Sequence, residues 1–290
     1  MTTDSATHDW VTHRNLLFTV AYEMLGSAAD AEDVLQEVWL RWSQVTDEVR
    51  DPRAYLVRIT TRLSLNHLRS SARRREDYVG PWLPEPLLTT DDVADDIELA
   101  ESVSTAMLLV LETLAPAERA VFVLREVFDV PYDEIAEAVD KTPAAVRQIA
   151  HRARSHVAAR RPRQSVEEGE RERVLERFMV AAAQGDLQSL VDVLAPDLVL
   201  LTDGGGVKRA ALRPMEGADK IMRFLLAVYE EASSFELIMV NGAPAVRLEL
   251  DGETEAVATF TVEAGLVTHI YIVRNPHKLQ GVTHAVALTR

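Results

Sequence analysis

At 290 residues, 47% of them hydrophobic, the chain is long enough for two or three domains with cores of their own and too apolar for extended disorder. It has no cysteine, which excludes disulfides and thiolate metal sites and fits a reducing, cytoplasmic location; the polar opening residues hold no apolar signal region, and no run approaches the roughly 18 apolar residues of a membrane span. A net charge of −15 argues against a free-standing DNA-binding protein, because phosphate neutralisation supplies most nonspecific affinity. The charge is segregated, however. Residues 76–118 contain no Lys or Arg, whereas 141–163 contain seven and no acid, so the sum hides basic patches whose DNA binding is weak until a partner supplies the rest.

Residues 8–76 read as an all-helical domain with helices over 11–25, 28–43 and 53–74 and a break at Gly26-Ser27. In the second helix Val34 or Leu35, Val38, Trp39 and Trp42 form an apolar stripe. The other face carries Asp30, Glu32, Asp33, Gln36, Glu37 and Arg41; Ser27 or Asp30 can cap it, and Glu37 and Arg41 make an i,i+4 pair. Asp51-Pro52 opens the third helix, where Arg58, Arg62, Asn66, Arg69 and Arg73 follow one helical step and Ile59, Leu63, Leu65 and Leu68 are left for packing. Arginine on such a face binds phosphate bidentately and stacks on unpaired bases.

Residues 77–102 read as a linker. Prolines 81, 84 and 86 forbid a helix interior, so Trp82-Leu83-Pro84-Glu85-Pro86-Leu87 is expected to run extended, with Trp82 and Leu83 exposed to invite a docking surface. The acids Asp91, Asp92, Asp95, Asp96, Glu98 and Glu101 then read as a solvated tether. Residues 103–160 read as a second helical domain: a helix over 115–128, a break at 129–131, a short helix over 132–139, a turn at Asp140-Lys141, and a final helix capped by Thr142 with Pro143 in its first turn. Val146, Ile149, Ala150, Ala153 and Val157 face inward there. Ala144, Ala145, Arg147, Gln148, His151, Arg152 and Arg154 therefore face outward, the arrangement of a recognition helix, with Arg147 and Gln148 placed for base edges and Arg147 suited to guanine.

After a polar hinge at 162–170 the pattern becomes α+β. Helices are expected over 171–184, 186–194 and 218–229, and strands over 198–202, 235–240, 245–250, 255–262 and 266–273, the last four forming a curved antiparallel sheet parted by Asn-Gly, Asp-Gly and Ala-Gly turns. Two loops stand out: Asp203-Gly204-Gly205-Gly206-Val207-Lys208, whose glycines allow close backbone approach, and Asn275-Pro276-His277-Lys278-Leu279.

The run from Asp30 through Arg41, then Asp51-Pro52-Arg53-Ala54-Tyr55-Leu56 and the arginine-rich helix, resembles region 2 of a bacterial extracytoplasmic-function (ECF) sigma factor. The 103–160 block resembles sigma region 4, with Arg152-Ala153-Arg154 at the usual end of the recognition helix, while Ala145, Gln148 and Ile149 depart from the commoner residues. The final domain resembles a SnoaL-like cone. Trp82 to Leu87 and the two loops resemble motifs of the sigma subgroup that carries such a fused domain, although Val207 separates the glycines from Lys208 and His277 stands in place of an Asp. The implied fold is multidomain: two all-α sigma domains, a region 2 bundle and a region 4 helix-turn-helix, followed by an α+β cone.

The resemblance implies a sigma factor that binds core RNA polymerase and directs promoter recognition. The acidic helix would dock on the β′ clamp helices. The basic helix would open and hold the −10 element, with a flipped base captured by the loop at Thr46, Asp47 and Glu48. Region 4 would read the −35 element and meet the β flap. The cone, through Trp82, Leu83, Pro84, Glu85, Pro86, Leu87, Asp203, Gly204, Gly205, Gly206, Lys208, Asn275, Pro276, Lys278 and Leu279, would regulate activity with no separate anti-sigma factor and no membrane partner. It implies no cofactor, metal or catalytic residue. Two other classes remain on sequence grounds. One is a SnoaL-type cyclase or isomerase using Asp203, Arg213, His269 and Tyr271. The other is a stand-alone dimeric helix-turn-helix repressor, which leaves the acidic helix and first basic helix without a role.

Overall fold

The computed structural model describes residues 3–90, 93–94, 96–160, 169–184, 186–231 and 234–290, without the side chains of 3–4, 71–76, 171–172, 182–184, 187–188 and 228–231. The side chain of Arg73, the acids Asp91, Asp92 and Asp95, and residues 161–168, which include 162–168 of the hinge, lie outside this set. The chain forms two compact units: Met1–Glu76 with Asp92–Arg161 and Val286–Arg290, and Asp77–Asp91 with Pro162–Ala285. The division falls inside the segment expected to be one linker.

In the first unit, α1 (Thr3–Leu25) starts well before the expected residue 11. Its early turns are held by packing: Ala6 is buried, and its carbonyl accepts the indole N–H of Trp42 at 2.9 Å. Gly26, at φ +65°, ends the helix, and Ser27 caps α2 (Ala28–Trp42) by accepting from Asp30 N at 3.1 Å. α2 buries Ala31, Val34, Leu35, Val38 and Trp42, while Trp39 is half-buried against Trp10, ring centroids 5.4 Å apart. α3 (Pro52–Glu76) begins at its proline, with the Asp51 carboxylate accepting from Ala54 N at 2.9 Å.

The supposed acidic tether is partly a helix. Asp96 caps α4 (Ile97–Val103), which buries Leu99, Ala100, Ser102 and Val103. The acidic composition hid these apolar positions. α5 (Thr105–Glu112) follows, and then α6 (Pro116–Phe122), which widens into a π-helical turn at Val123–Val127. Arg119 of α6 is buried and donates to Met24 O at 2.9 Å and Glu112 Oε1 at 2.7 Å, tying α6 to the end of α1. Burial lowers its pKa to about 10. α7 (Tyr132–Val139) ends in left-handed Asp140, and α8 (Pro143–Ala158) is capped by Thr142, whose hydroxyl accepts from Ala145 N at 3.2 Å. The chain's last residues also belong here: Leu288 is buried, Thr289 N donates to Thr19 Oγ1 at 3.1 Å, and Arg290 pairs with Asp96 at 2.8 Å and with Glu98.

The second unit contains α9 (Glu170–Gln184), α10 (Leu187–Val191), β1 (Leu194–Asp203), β2 (Met215–Glu216), α11 (Ala218–Glu231), β3 (Ser234–Val240), β4 (Ala243–Leu250), β5 (Glu253–Glu263) and β6 (Leu266–Val273). Sheet order is β2-β1-β6-β5-β4-β3. The sheet is mixed: β1 pairs with β6 in parallel, a long-range pairing that local turn signals cannot reveal. Both residues of each hairpin turn, Asn241-Gly242, Asp251-Gly252 and Ala264-Gly265, have positive φ, which matches the right-handed strand twist.

Candidate polymerase, nucleic-acid and linker interfaces

On α2, Asp33, Gln36, Glu37 and Arg41 are exposed, and Glu37 accepts from Arg41 at 2.5 Å. Glu32 is turned toward α1, where it pairs with Arg14 at 2.8 Å, and Asp30 lies 3.1 Å from His67 of α3. Leu40, which the charge pattern passed over, is 58% exposed. It stands three residues from Glu37 and four from Gln36, which puts an apolar contact on the same face.

The basic face of α3 is not open along its length. Arg58 Nη1 donates to Glu137 Oε2 at 2.8 Å and lies over the Tyr55 ring, 5.2 Å from its centroid, while Arg62 donates to the Glu137 carbonyl at 2.7 Å. Glu137 belongs to α7, the first helix of the helix-turn-helix. Local charge patterning could not anticipate an acid 79 residues away in sequence. Asn66 and Arg69 are exposed.

On α8 the buried set is Val146, Ile149, Ala150, Ala153 and Val157. Arg147, Gln148, His151, Arg152 and Arg154 are exposed, as are Thr142 and Ala144, and Ala145 is half-buried. The Arg147 guanidinium lies 5.9 Å from the Tyr132 ring centroid and that of Arg125 lies 5.0 Å from it, so one ring orients two cations. Arg154 pairs with Glu126 at 3.0 Å and Arg152 with Glu118 at 3.6 Å. Arg125 joins this cluster from the π-helical turn, where regular helical spacing does not place it.

Three segments far apart in the second unit's sequence meet around one buried carboxylate. Asp203 Oδ1 accepts from the Tyr78 hydroxyl at 2.6 Å and Gly205 N at 3.0 Å; Oδ2 accepts from Leu83 N at 2.9 Å and Lys278 Nζ at 2.8 Å. Lys278 also donates to Leu83 O at 2.5 Å and faces the rings of Trp82, at 4.1 Å, and Tyr78, at 4.9 Å. Asn275 donates to the Tyr78 hydroxyl at 2.9 Å. Burial and the neighbouring Asp203 push the Tyr78 phenol far above its usual pKa.

The glycines admit this packing. A Cβ on Gly205 would come within 2.2 Å of Asn275 Nδ2, and one on Gly204 within 2.2 Å of Lys208 O. Further along, Leu87 N donates to Asn241 Oδ1 at 2.8 Å, Asn241 N to Leu87 O at 2.9 Å, and Leu88 bridges to Val240. The 81–88 stretch is thus extended as expected, but Leu83, Pro84, Pro86 and Leu87 are buried on the cone, and Trp82 and Glu85 are half-buried. Leu83 is therefore not the exposed residue the sequence implied. Lys208 leaves the Asp203 cluster to pair with Glu255 at 2.7 Å. His277 and Pro276 are exposed, His277 using its backbone N–H on Asn275 Oδ1, so the Asp-to-His departure leaves the loop intact; Leu279 is buried.

The four residues considered for catalysis do not come together as one group, although the rings of His269 and Tyr271 stack with centroids 6.0 Å apart. A cavity of about 300 Å³ in this unit is lined by apolar side chains, and Asp203, Arg213, His269 and Tyr271 are absent from its wall. Phe260 and Ile270, paired across β5 and β6, face it, whereas the neighbouring pairs Thr259–Tyr271 and Thr261–His269 take the other face by strand alternation. Burial moves Tyr271 up to about 12 and His269 below its usual value, and Arg213 is exposed on a loop.

Residues 10–74 match Sigma-70 region 2 and residues 104–157 match Sigma-70, region 4, which defines the class as a sigma-70-type promoter-recognition protein. The chain is 38% identical over 284 residues to the ECF RNA polymerase sigma factor SigJ of Mycobacterium tuberculosis, covering 92% of this chain and 91% of that one. It is 32% identical over 281 residues to a second M. tuberculosis protein, named as a probable ECF RNA polymerase sigma factor, SigI, covering 95% of both. The crystal structure of M. tuberculosis SigJ superposes with a TM-score of 0.78 at 35% identity, over 96% of this chain and 99% of that one. The chain belongs to the ECF RNA polymerase sigma factors. It therefore binds RNA polymerase and directs promoter-dependent transcription initiation, and it is not an enzyme. Among the described residues no helix is long and apolar enough to cross a membrane.

Proposed function

We propose that this sigma factor docks on the β′ clamp helices of core polymerase through Asp33, Gln36, Glu37, Arg41 and Leu40, with Asp30 and Glu32 setting the pose of α2. α8 enters the −35 major groove, Arg147 and Gln148 at base edges and His151, Arg152 and Arg154 at phosphates. Region 4 also meets the β flap. Arg58, Arg62, Asn66, Arg69 and Arg73 hold the separated −10 strands. Because Arg58 and Arg62 are engaged by Glu137 in the free chain, promoter melting requires α3 and α7 to part. The protein acts in the cytoplasm.

The cone regulates by holding the linker between the −10 and −35 readers, with no separate anti-sigma factor. The observation that carries this reading is the convergence of Tyr78 and Leu83 on the Asp203–Lys278 pair. A 15-residue tether spans at most about 50 Å when fully extended, so holding its residues 78–88 removes freedom that would set the distance between the two readers. Run-off transcription with purified core polymerase tests it, comparing the full chain, a chain ending at Arg163, and K278M. Truncation and K278M are expected to change promoter output in the same direction without any anti-sigma protein. Equal output from all three overturns the regulatory role.

A further inference from the structure

The cavity in the second unit is lined by none of the residues proposed above for polymerase or DNA contact. Its wall is built from Phe178 and Met179 of α9, Leu190 of α10, Met222, Leu225 and Leu226 of α11, and one face of the sheet. The strand residues that line it are apolar, among them Val246 and Leu248 on β4, Phe260 on β5 and Ile270 and Ile272 on β6. Among the described residues, no charged or hydrogen-bonding side chain lines it.

At about 300 Å³ the space is roughly twice an engineered apolar cavity of ~150 Å³ that stays dry and takes up benzene. Water gains little there, because a buried water needs two to four polar partners and the described side chains of this wall offer none. At roughly 30 Å³ per small heavy-atom group it holds about ten non-hydrogen atoms, at the lower end of the range for small-molecule pockets. A charged headgroup inside would be stripped of water with no described side chain of the wall to pair with. Stability alone does not explain the void, since larger side chains at Ala258 or Val246 would close it.

We propose that the cone is a receptor for a neutral, hydrocarbon-like small molecule of about ten non-hydrogen atoms, aromatic or medium-chain, seated between the α9–α11 helices and the β3–β6 face. The wall selects by size and lack of charge, and among the described residues it contains no group able to transform what it binds.

The test uses the full-length chain with naphthalene and 1-decanol as neutral probes, and 1-naphthoate and 1-naphthylmethylammonium as charged ones, in equilibrium dialysis. At least one neutral probe is expected to bind saturably at one per chain, with both charged probes at least tenfold weaker. Ala258→Phe and Met222→Trp are expected to reduce that binding at least tenfold. Should either variant misfold by circular dichroism, methyl NMR on the wild-type chain replaces it, with contacts from the probe to Val246, Leu248, Ile270 and Ile272 expected. No saturable binding by either neutral probe, equal binding of charged probes, or probe contacts elsewhere overturns the proposal. None of these readouts depends on transcription.

Discussion

Lys278 Nζ and Asp203 Oδ2 lie 2.8 Å apart with their side chains 7% and 0% exposed, and the linker supplies most of what else they touch. Desolvating two charges is costly, and mutual attraction offsets that cost only when the remaining lone pairs and protons are also matched. Here they are: Asp203 accepts four hydrogen bonds, and Lys278 adds the Leu83 carbonyl and two aromatic faces. The pair's value is therefore in specifying one path for the linker across the cone, more than in net stabilisation.

Removing one partner leaves the other buried and uncompensated. K278M is expected to destabilise the second unit by about 3–5 kcal/mol. The double variant D203N/K278M is expected to lose less than the two single losses added together, because it leaves no bare charge where each single variant leaves one. Urea unfolding of the four proteins gives the coupling; strictly additive losses would show that the pair does not act as one.

Gly205 sits at φ +60° with no room for a methyl group, since an added Cβ would be 2.5 Å from Asn275 Cγ. G205A should therefore displace Asn275 and break its bond to Tyr78, besides the ~1–2 kcal/mol of left-handed strain. Gly252 is the control, at φ +81° with nothing within 4 Å. G252A should show the strain alone. Thermal unfolding of both variants decides it, a larger loss in G205A being the expected result and equal losses the refutation.

Much of this architecture was legible because local rules governed it. The helix-turn-helix followed from Thr142, Pro143 and the Val146 to Val157 spacing, and three hairpins from their Gly-containing turns. What stayed hidden was set by partners distant in sequence. The parallel β1–β6 pairing, the capture of Arg58 by Glu137, and the burial of Leu83 beside Asp203 each join residues at least 60 positions apart. The acids around α4 masked a buried Leu99 and Val103 because composition was read before periodicity. Leu40 was passed over because an acidic face was read only for charge.

The polymerase face separates into docking residues and residues committed within the fold. Glu32 is paired to Arg14, so reversing it perturbs α1 as well as any partner. Asp33 and Leu40 are cleaner probes. D33K combined with L40A is expected to weaken association with core polymerase at least tenfold, with circular dichroism and melting temperature unchanged within a few degrees. Unaltered affinity by fluorescence anisotropy would remove this face of α2 from the interface.

Glu137→Arg should release Arg58 and add a like charge beside it. The Arg58–Glu137 pair is partly exposed, with Glu137 65% open, so its worth is below about 1 kcal/mol, and Arg62 still reaches the backbone carbonyl. Affinity for single-stranded −10 oligonucleotide is thus expected to rise by no more than about fivefold, and the gain should shrink as salt is raised. Loss of affinity in E137R would mean that Glu137 does not shield the basic helix.

Glu23 offers a titration that reports on the first unit. It is fully buried on α1, with Oε1 accepting from Ser102 Oγ at 2.7 Å and Oε2 without a hydrogen-bond partner among the described residues. Burial raises its pKa to about 8, the Ser102 bond opposing the shift only in part. The folded state therefore holds a proton that the unfolded chain releases near its ordinary value of 4.5. Stability from this group is fully present below pH 4.5 and is lost progressively up to about pH 8, at up to about 1.4 kcal/mol per pH unit, then levels off. Glu23→Gln keeps an acceptor for Ser102 and removes the charge, so it should be more stable than wild type at pH 8 and show a flatter profile between pH 5 and 8. Denaturant midpoints across that range measure it, and parallel profiles for the two proteins would show that Glu23 is not the titrating group.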